Sequence, residues 1–311
     1  MNRGVTLSEP KLNKCDNWKG VLLAGGTGSR LHPCTISTNK HLLPVFDKPM
    51  IYYPLANLML AEIRDIILVS DPVFSGQFQN LLGSGEQWGL SITYVTQKKP
   101  RGIADGILAA QSHISDCNVM LALGDNIFYG SNLGSLLVEI KSKNVGATVL
   151  GYPVKNPKEY GVLTIDDEGN VTDLEEKPLK PKSNLAVPGL YFYDTDLLSV
   201  IKKIEPSKRG ELEITDVNKE YLNSKKLSVS LPGRGFAWLD GGTPEDLFEA
   251  AQFVRVMEER TGLKLACPEE ISWRLGSIDN DQFNRLITTL PLGSYRSYLN
   301  QLLEDHKNHT H

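Results

Sequence analysis

The chain is constrained most by an apolar run that ends in glycine: Lys19-Gly20-Val21-Leu22-Leu23-Ala24, followed at once by Gly25-Gly26-Thr27-Gly28. Such a short, continuous apolar run bounded by glycine reads as a buried strand. The glycines after it let the backbone turn sharply and bring its N–H groups close to an anion. Three further runs repeat the strand pattern: Ile66-Ile67-Leu68-Val69, then Val119-Met120-Leu121-Ala122-Leu123 stopping at Gly124-Asp125, then Ala147-Thr148-Val149-Leu150. An amphipathic helical stretch at 52–63 and a helical stretch at 133–141 separate them. Strands that are apolar throughout and alternate with helices belong to a parallel sheet covered on both faces. The expected class is α/β, with a doubly wound, mostly parallel Rossmann-like sheet.

The pattern then changes. Residues 160–165 and 171–174 flank the turn Asp166-Asp167-Glu168-Gly169-Asn170 and predict an inserted β-hairpin. Gly189-Leu190-Tyr191-Phe192-Tyr193 is a further strand, 211–222 a helix and 227–231 a short strand. From Pro244 onward the pattern is helical, with breaks near 262, 276 and 293. We therefore expect a flexible extension over 1–18, an α/β unit over 19–250, a helical segment over 251–303 and a flexible tail over 304–311.

Bulk properties exclude several classes. With 33 Lys and Arg against 37 Asp and Glu, the net charge of −4 does not suit a globally basic nucleic-acid binder. No apolar run approaches the roughly 18 residues needed to cross a bilayer, and the N-terminus lacks the apolar stretch of a secretion signal. The 4 cysteines form no C-x-x-C pair, so neither a disulfide framework nor a zinc site is expected. The expectation is a cytoplasmic protein without nucleic-acid or membrane partners.

The glycine loop fits neither common phosphate motif. It lacks the lysine of a P-loop and the third glycine of a dinucleotide fingerprint. Arg30 directly after the loop and Lys40 ten residues on suggest a polyphosphate cradle instead. Asp125 closes the strand at 119–123, at the carboxyl edge where open α/β sheets bind ligands. Asp240 follows Phe236-Ala237-Trp238-Leu239 in the same manner. Either aspartate alone reads equally as a cap or turn residue. Together they could share Mg²⁺, which takes few protein ligands and draws the rest from phosphate and water.

Several ordered motifs resemble those of sugar-1-phosphate nucleotidyltransferases, nearest to the thymidylyl-transferring branch of the long, tetrameric type. They include Leu23-Ala-Gly-Gly-Thr-Gly-Ser-Arg-Leu-His-Pro33, Lys40-His-Leu-Leu-Pro-Val45, Leu123-Gly-Asp-Asn-Ile-Phe-Tyr-Gly130, Leu174-Glu-Glu-Lys-Pro178 and Arg209-Gly-Glu-Leu-Glu-Ile-Thr-Asp-Val217. The resemblance spans roughly 19–303. It implies a catalytic unit over 19–250, with nucleotide bound by about 19–150 and sugar by about 151–243, and an assembly or regulatory role for 251–303. It implies that dTTP and glucose 1-phosphate react to give dTDP-glucose and pyrophosphate, with Mg²⁺ as cofactor, and that the product feeds dTDP-rhamnose or related sugars. It assigns Mg²⁺ to Asp125 and Asp240, the triphosphate to Arg30 and Lys40, and the sugar phosphate to Lys177. Nucleotide contacts fall to Leu23, Ala24, Gly25, Gly26, Gly28 and Asp125, and base recognition to Gln97 and Gly102. Sugar contacts fall to Asn126, Tyr160, Gly161, Glu176, Lys177 and Val187. Ala266, Glu270, Ile271 and Arg274 resemble part of an effector site for a dTDP-sugar feedback inhibitor.

This chain departs from the pattern in places. His41 replaces a common glutamine, Ile103-Ala104-Asp105 replaces Leu-Ala-Gln, and Asp240-Gly241-Gly242-Thr243 replaces Asp-Thr-Gly-Thr. The first two weaken the expectation of strict preference for thymine over uracil. The third predicts a looser loop beside a metal ligand. Use of UTP or another hexose 1-phosphate is the nearest alternative, and a catalytically silent nucleotide-sugar sensor a more distant one. The presence together of Arg30, Lys40, Asp125, Lys177 and Asp240 argues against the sensor.

Overall fold

Seven strands form the central sheet, in the spatial order Leu227–Ser230, Ala147–Leu150, Leu190–Tyr193, Asn118–Leu123, Trp18–Ala24, Asp65–Ser70 and Ser91–Thr96. The structure, a computed structural model, describes residues 17–309. All neighbouring pairs are parallel except those made by Leu190–Tyr193, which runs antiparallel to both its neighbours. An apolar run carries no label for its direction, so the sequence revealed this strand but not its reversal.

The apolar runs are continuous because both faces of the sheet are covered. Leu22, Ile66 and Leu68 enter one core, beneath the Tyr52–Leu60 and Leu133–Lys143 helices. Val21, Ile67 and Val69 enter the other, with Ile107 and Val217 from the Ile103–Ala109 and Ile214–Asn223 helices. Tyr52–Leu60 is not amphipathic as expected: every residue from Tyr53 to Met59 is buried, since the helix packs against the C-terminal segment as well as the sheet.

The expected hairpin is present as Gly161–Ile165 and Val171–Glu176. Two short strands, Leu185–Ala186 and Tyr152–Pro153, enlarge it to four strands. A separate antiparallel ribbon pairs Ala237–Asp240 with Asn126–Tyr129.

Four helices complete the chain: Pro244–Thr261, Pro268–Arg274, Asn280–Thr289 and Ser294–His309. The first starts with a capping box between Thr243 and Asp246 and stops at Gly262, φ 69°. Buried Lys48 ties it to the preceding part of the chain, its ammonium donating to Glu258 at 2.7 Å. The last three share a small core of Cys267, Phe283, Ile287 and Leu299, with Trp273 stacked on Phe283 at 4.6 Å.

Among the described residues, regular structure reaches further toward both ends than expected. Trp18 opens the first strand and packs edge-on against Phe192, because its indole can be buried there; residues 1–16 lie outside those described. At the other end helix continues through His309. Leu299 and Leu303 anchor its apolar face, and the His306 ring meets Trp273 edge-on.

Candidate active site

The glycine loop leaves the carboxyl end of the central strand Trp18–Ala24. Gly28 sits at φ 59°, and a Cβ there would come within 3.0 Å of Thr35, so backbone and space both call for glycine. The segment that follows braces the loop. The Thr35 hydroxyl donates to the Gly28 carbonyl at 2.8 Å, and the buried Asn39 amide donates to the Ala24 carbonyl at 3.1 Å. Arg30 and Lys40 lie on short 3₁₀ turns, Ser29–Leu31 and Lys40–Leu42. Lys40 thereby reaches the neighbouring strand end and donates its ammonium to the Asp125 carboxylate.

Asp240 arrives differently from the sequence expectation. It does not end a strand of the central sheet. The antiparallel ribbon sets Asp240 opposite Asn126, and the Gly241 N–H donates to the Asp125 carbonyl at 3.0 Å. Two aspartates far apart in sequence are thus brought side by side. Gly242 contributes space rather than looseness: a Cβ there would stand 2.9 Å from the Arg30 guanidinium and 3.3 Å from the Asp240 carboxylate. Its absence lets Arg30 approach Asp240.

The electrostatics follow from this crowding. Burial would raise the Asp125 carboxyl, but the Lys40 ammonium offsets this and holds it well below the usual carboxylate range. Asp240 is pushed up to about 7, by burial first and then by the negative charge of Asp125. Burial, with Lys40 beside it, pushes the His41 imidazole down to about 3, leaving a neutral ring at physiological pH. Its Nδ1 lies 2.7 Å from Asn39 Oδ1.

Three cavities collect the candidate residues. One, of about 200 Å³, holds Leu23, Gly25, Gly26, Gln97, Gly102 and Asp125. Ala24 does not reach it; its side chain is buried and only its carbonyl takes part. A second, of about 130 Å³, holds Tyr160, Gly161, Glu176 and Val187. Lys177 stands at the end of the hairpin with φ 44°, its N–H donating to the Tyr160 carbonyl and its side chain exposed. Backbone held in this region by a non-glycine residue is costly and concentrates at functional sites. Asn126 is 5% exposed and spends its amide on the protein. Its Nδ2 donates to Asp125 at 2.9 Å, and its oxygen accepts from Gly189 N–H and the Trp238 indole.

The third cavity, about 370 Å³, lies apart from the other two, between the Tyr52–Leu60 helix and the C-terminal segment. Ala266, Glu270, Ile271 and Arg274 all line it, joined by Asn57, whose buried amide nitrogen has no partner among the described residues.

Sequence reasoning gave no role to four residues that shape the site. His41 lines the first cavity. Thr215 donates its hydroxyl to Glu176 at 2.5 Å, Arg209 approaches the same carboxylate at 3.7 Å, and Trp238 packs on Tyr160 at 5.0 Å. All four lie inside motifs that carry the resemblance, Trp238 in Gly233-Arg-Gly-Phe-Ala-Trp-Leu-Asp240, but only the folded chain gives them partners.

Cations around a glycine loop, set against paired carboxylates with two cavities nearby, suit the joining of a nucleotide to a phosphorylated sugar. Comparison with known proteins agrees. Residues 19–256 match the nucleotidyl transferase family. The glucose-1-phosphate thymidylyltransferase of Mycobacterium tuberculosis is 49% identical over 286 residues, covering 92% of this chain and 99% of that protein. The Neisseria meningitidis enzyme of the same name is 47% identical over the same shares. A Bacillus anthracis structure assigned as a glucose-1-phosphate thymidylyltransferase, solved with sucrose, superposes with a TM-score of 0.71 at 40% identity, over 76% of this chain and 95% of that one. A UDP-glucose pyrophosphorylase bound to UDP-glucose superposes with a TM-score of 0.69 at 25% identity, over 77% and 98%. The chain belongs to the nucleotidyl transferase family, in its glucose-1-phosphate thymidylyltransferase branch.

Proposed function

We propose that the chain transfers a thymidylyl group from dTTP to α-D-glucose 1-phosphate, giving dTDP-glucose and pyrophosphate for dTDP-deoxysugar synthesis such as that of dTDP-rhamnose. The observation that carries this reading is the meeting of Arg30, Lys40, Asp125 and Asp240 at the glycine loop. The names of the close relatives support the choice of substrates.

A sugar phosphate oxygen attacks the α-phosphorus and pyrophosphate leaves in line. The nucleophile is already an anion, so no general base is required. What the protein must do is bring two anions together, align them and disperse the charge that develops. Arg30 grips the triphosphate and Lys40 faces the α-phosphate. Lys177 draws in the sugar phosphate. Glu176, held by Thr215, orients the sugar hydroxyls in the cavity with Tyr160, Gly161 and Val187. Asn126 acts mainly by aiming Asp125.

The donor set fits Mg²⁺. Burial first, and then the negative charge of Asp125, raises Asp240, so the two oxygen donors gain from a cation between them. Among the described residues no cluster of three or more His, Cys, Asp or Glu encloses a metal, which suits a cation that takes its other ligands from phosphate and water. Asp125 and Asp240 would hold it. When bound, it neutralises negative charge on the phosphates.

The reading extends to the rest of the molecule. Residues 19–250 act as the catalytic unit and 251–303 as an assembly and regulatory segment. Phe248 and Val256 remain exposed on the Pro244–Thr261 helix, which supports a homotetramer built through it. The third cavity is the seat of a dTDP-sugar feedback inhibitor. Among the described residues no helix is long and apolar enough to cross a membrane, which is compatible with work in the cytoplasm.

Initial rates of pyrophosphate release with dTTP, UTP and dCTP against several hexose 1-phosphates test the proposal. The highest kcat/KM should fall to dTTP with glucose 1-phosphate. Absence of turnover with every pair would leave a nucleotide-sugar sensor.

A further inference from the structure

Asp105 lies in the first turn of the Ile103–Ala109 helix and is only 9% exposed. Each of its oxygens accepts one hydrogen bond. Oδ1 takes the Arg101 guanidinium at 2.9 Å, and Oδ2 takes Nε2 of Gln97 at 2.7 Å. A carboxylate can only accept. The end of the Gln97 carboxamide that faces it must therefore be the NH₂. The second hydrogen of that NH₂ points to the Gly102 carbonyl, 3.4 Å away. Both donors of Gln97 are engaged within the protein.

The carboxamide oxygen is left over. It lies 3.3 Å from the point a Cβ on Gly25 would occupy and 3.6 Å from the corresponding point on Gly106. This places it at the cavity that Gln97 lines with Gly25, Gly26 and Gly102. A nucleotide in that cavity meets an acceptor at residue 97.

We infer that Asp105 is a positioning residue that locks the Gln97 carboxamide with its oxygen toward the base, so that the site selects bases bearing an N3–H donor and rejects cytosine. Thymine and uracil both carry that hydrogen at N3. Cytosine carries a lone pair there, which would face the Gln97 oxygen and leave two acceptors opposed. The lock therefore does not separate thymine from uracil. A neutral amide at 105 would not impose this direction, because it offers a donor as readily as an acceptor.

The inference rests on the nucleotidyl-transfer reading, and the experiment separates the two. Pyrophosphate release is measured with dTTP and with dCTP at saturating glucose 1-phosphate, for the unaltered chain, Asp105→Asn and Asp105→Glu. Turnover of dTTP by the unaltered chain tests the reading itself. In Asp105→Asn, Arg101 retains the side-chain oxygen and the new amide faces Gln97, which turns its NH₂ to the base. The dTTP-over-dCTP ratio in kcat/KM should then fall by about tenfold or more, as expected for one hydrogen bond gained by the wrong base and lost by the right one. Asp105→Glu keeps an acceptor-only group and should keep the preference. A ratio that stays within about twofold in a folded Asp105→Asn protein, against that tenfold expectation, overturns the inference, as does loss of the preference in Asp105→Glu.

Discussion

The Lys40 ammonium is seated on the Asp125 carboxylate, although 85 residues separate them in the chain, and their side chains are only 14% and 17% exposed. In the proposed mechanism the pair holds together one group that faces the nucleotide phosphates and one that would hold the metal. Asp125→Asn should lower kcat strongly while the protein stays folded, and should raise the Mg²⁺ concentration needed for half-maximal rate. Lys40→Met should cost about 10²–10³-fold in kcat, the usual loss when one preorganised group is removed from a developing charge. A Mg²⁺ titration of both variants, beside their circular dichroism, checks this. Near-normal turnover of Asp125→Asn at ordinary Mg²⁺ would remove the aspartate from the metal site.

Arg30 tests how the site uses its exposed cation. Its guanidinium reaches the space above Gly242, next to Asp240, where a side chain at 242 would block it. If it stabilises charge in the transition state, Arg30→Ala should raise the barrier by about 2–4 kcal/mol, seen in kcat as well as kcat/KM. A change confined to KM would restrict Arg30 to ground-state binding. Gly242→Val should reproduce part of the loss with the arginine still present, by displacing it.

The third cavity offers a separate test of regulation. Gly134, within the Leu133–Lys143 helix, lines it, and a Cβ there would meet Leu60 only at an ordinary 3.6 Å. A longer side chain can grow from this position into the cavity without straining the helix. Gly134→Met should therefore weaken inhibition by dTDP-rhamnose at least about tenfold, given the cost of packing a ligand into filled space. Turnover without inhibitor should stay close to normal. Inhibition curves taken at several glucose 1-phosphate concentrations check it, and competition with the sugar phosphate would argue against a separate site.

What could be read from the sequence follows from how local each signal is. The glycine loop, the parallel strands and the place of Asp125 are set by neighbours along the chain, so they were legible. The direction of Leu190–Tyr193 was not, because an apolar run pairs equally well either way in a doubly covered sheet. The route of Asp240 depended on a ribbon between residues more than a hundred positions apart. Asp105 looked like a departure that weakens base recognition. Only its contacts with Gln97 and Arg101 show what a carboxylate can do there. The last helix could be read only as far as 303, because Glu304-Asp305-His306-Lys307-Asn308 is polar throughout and carries no apolar periodicity to extend it.

Asp240 sets function against stability in the metal-free protein. Its carboxyl is raised from the usual 3.8 to about 7 by burial and by Asp125. A folded-state value above the unfolded one means that the protonated form is favoured by folding. The stability this contributes is complete below about pH 4 and is lost as pH rises through 7. Above pH 7 the ionised carboxylate costs the metal-free fold on the order of a few kcal/mol. Asp240→Asn removes that charge with almost no change of shape. Its Tm without metal should exceed that of the unaltered chain at pH 8, and the difference should shrink as pH falls and approach zero only near pH 4. Added Mg²⁺ should raise the Tm of the unaltered chain at pH 8 and leave that of Asp240→Asn nearly unmoved, while the variant loses most of its turnover. Thermal melts at the two pH values, with chelator and with Mg²⁺, measure all of this. A Tm difference that does not depend on pH would mean that Asp240 is not the strained carboxylate of the pair.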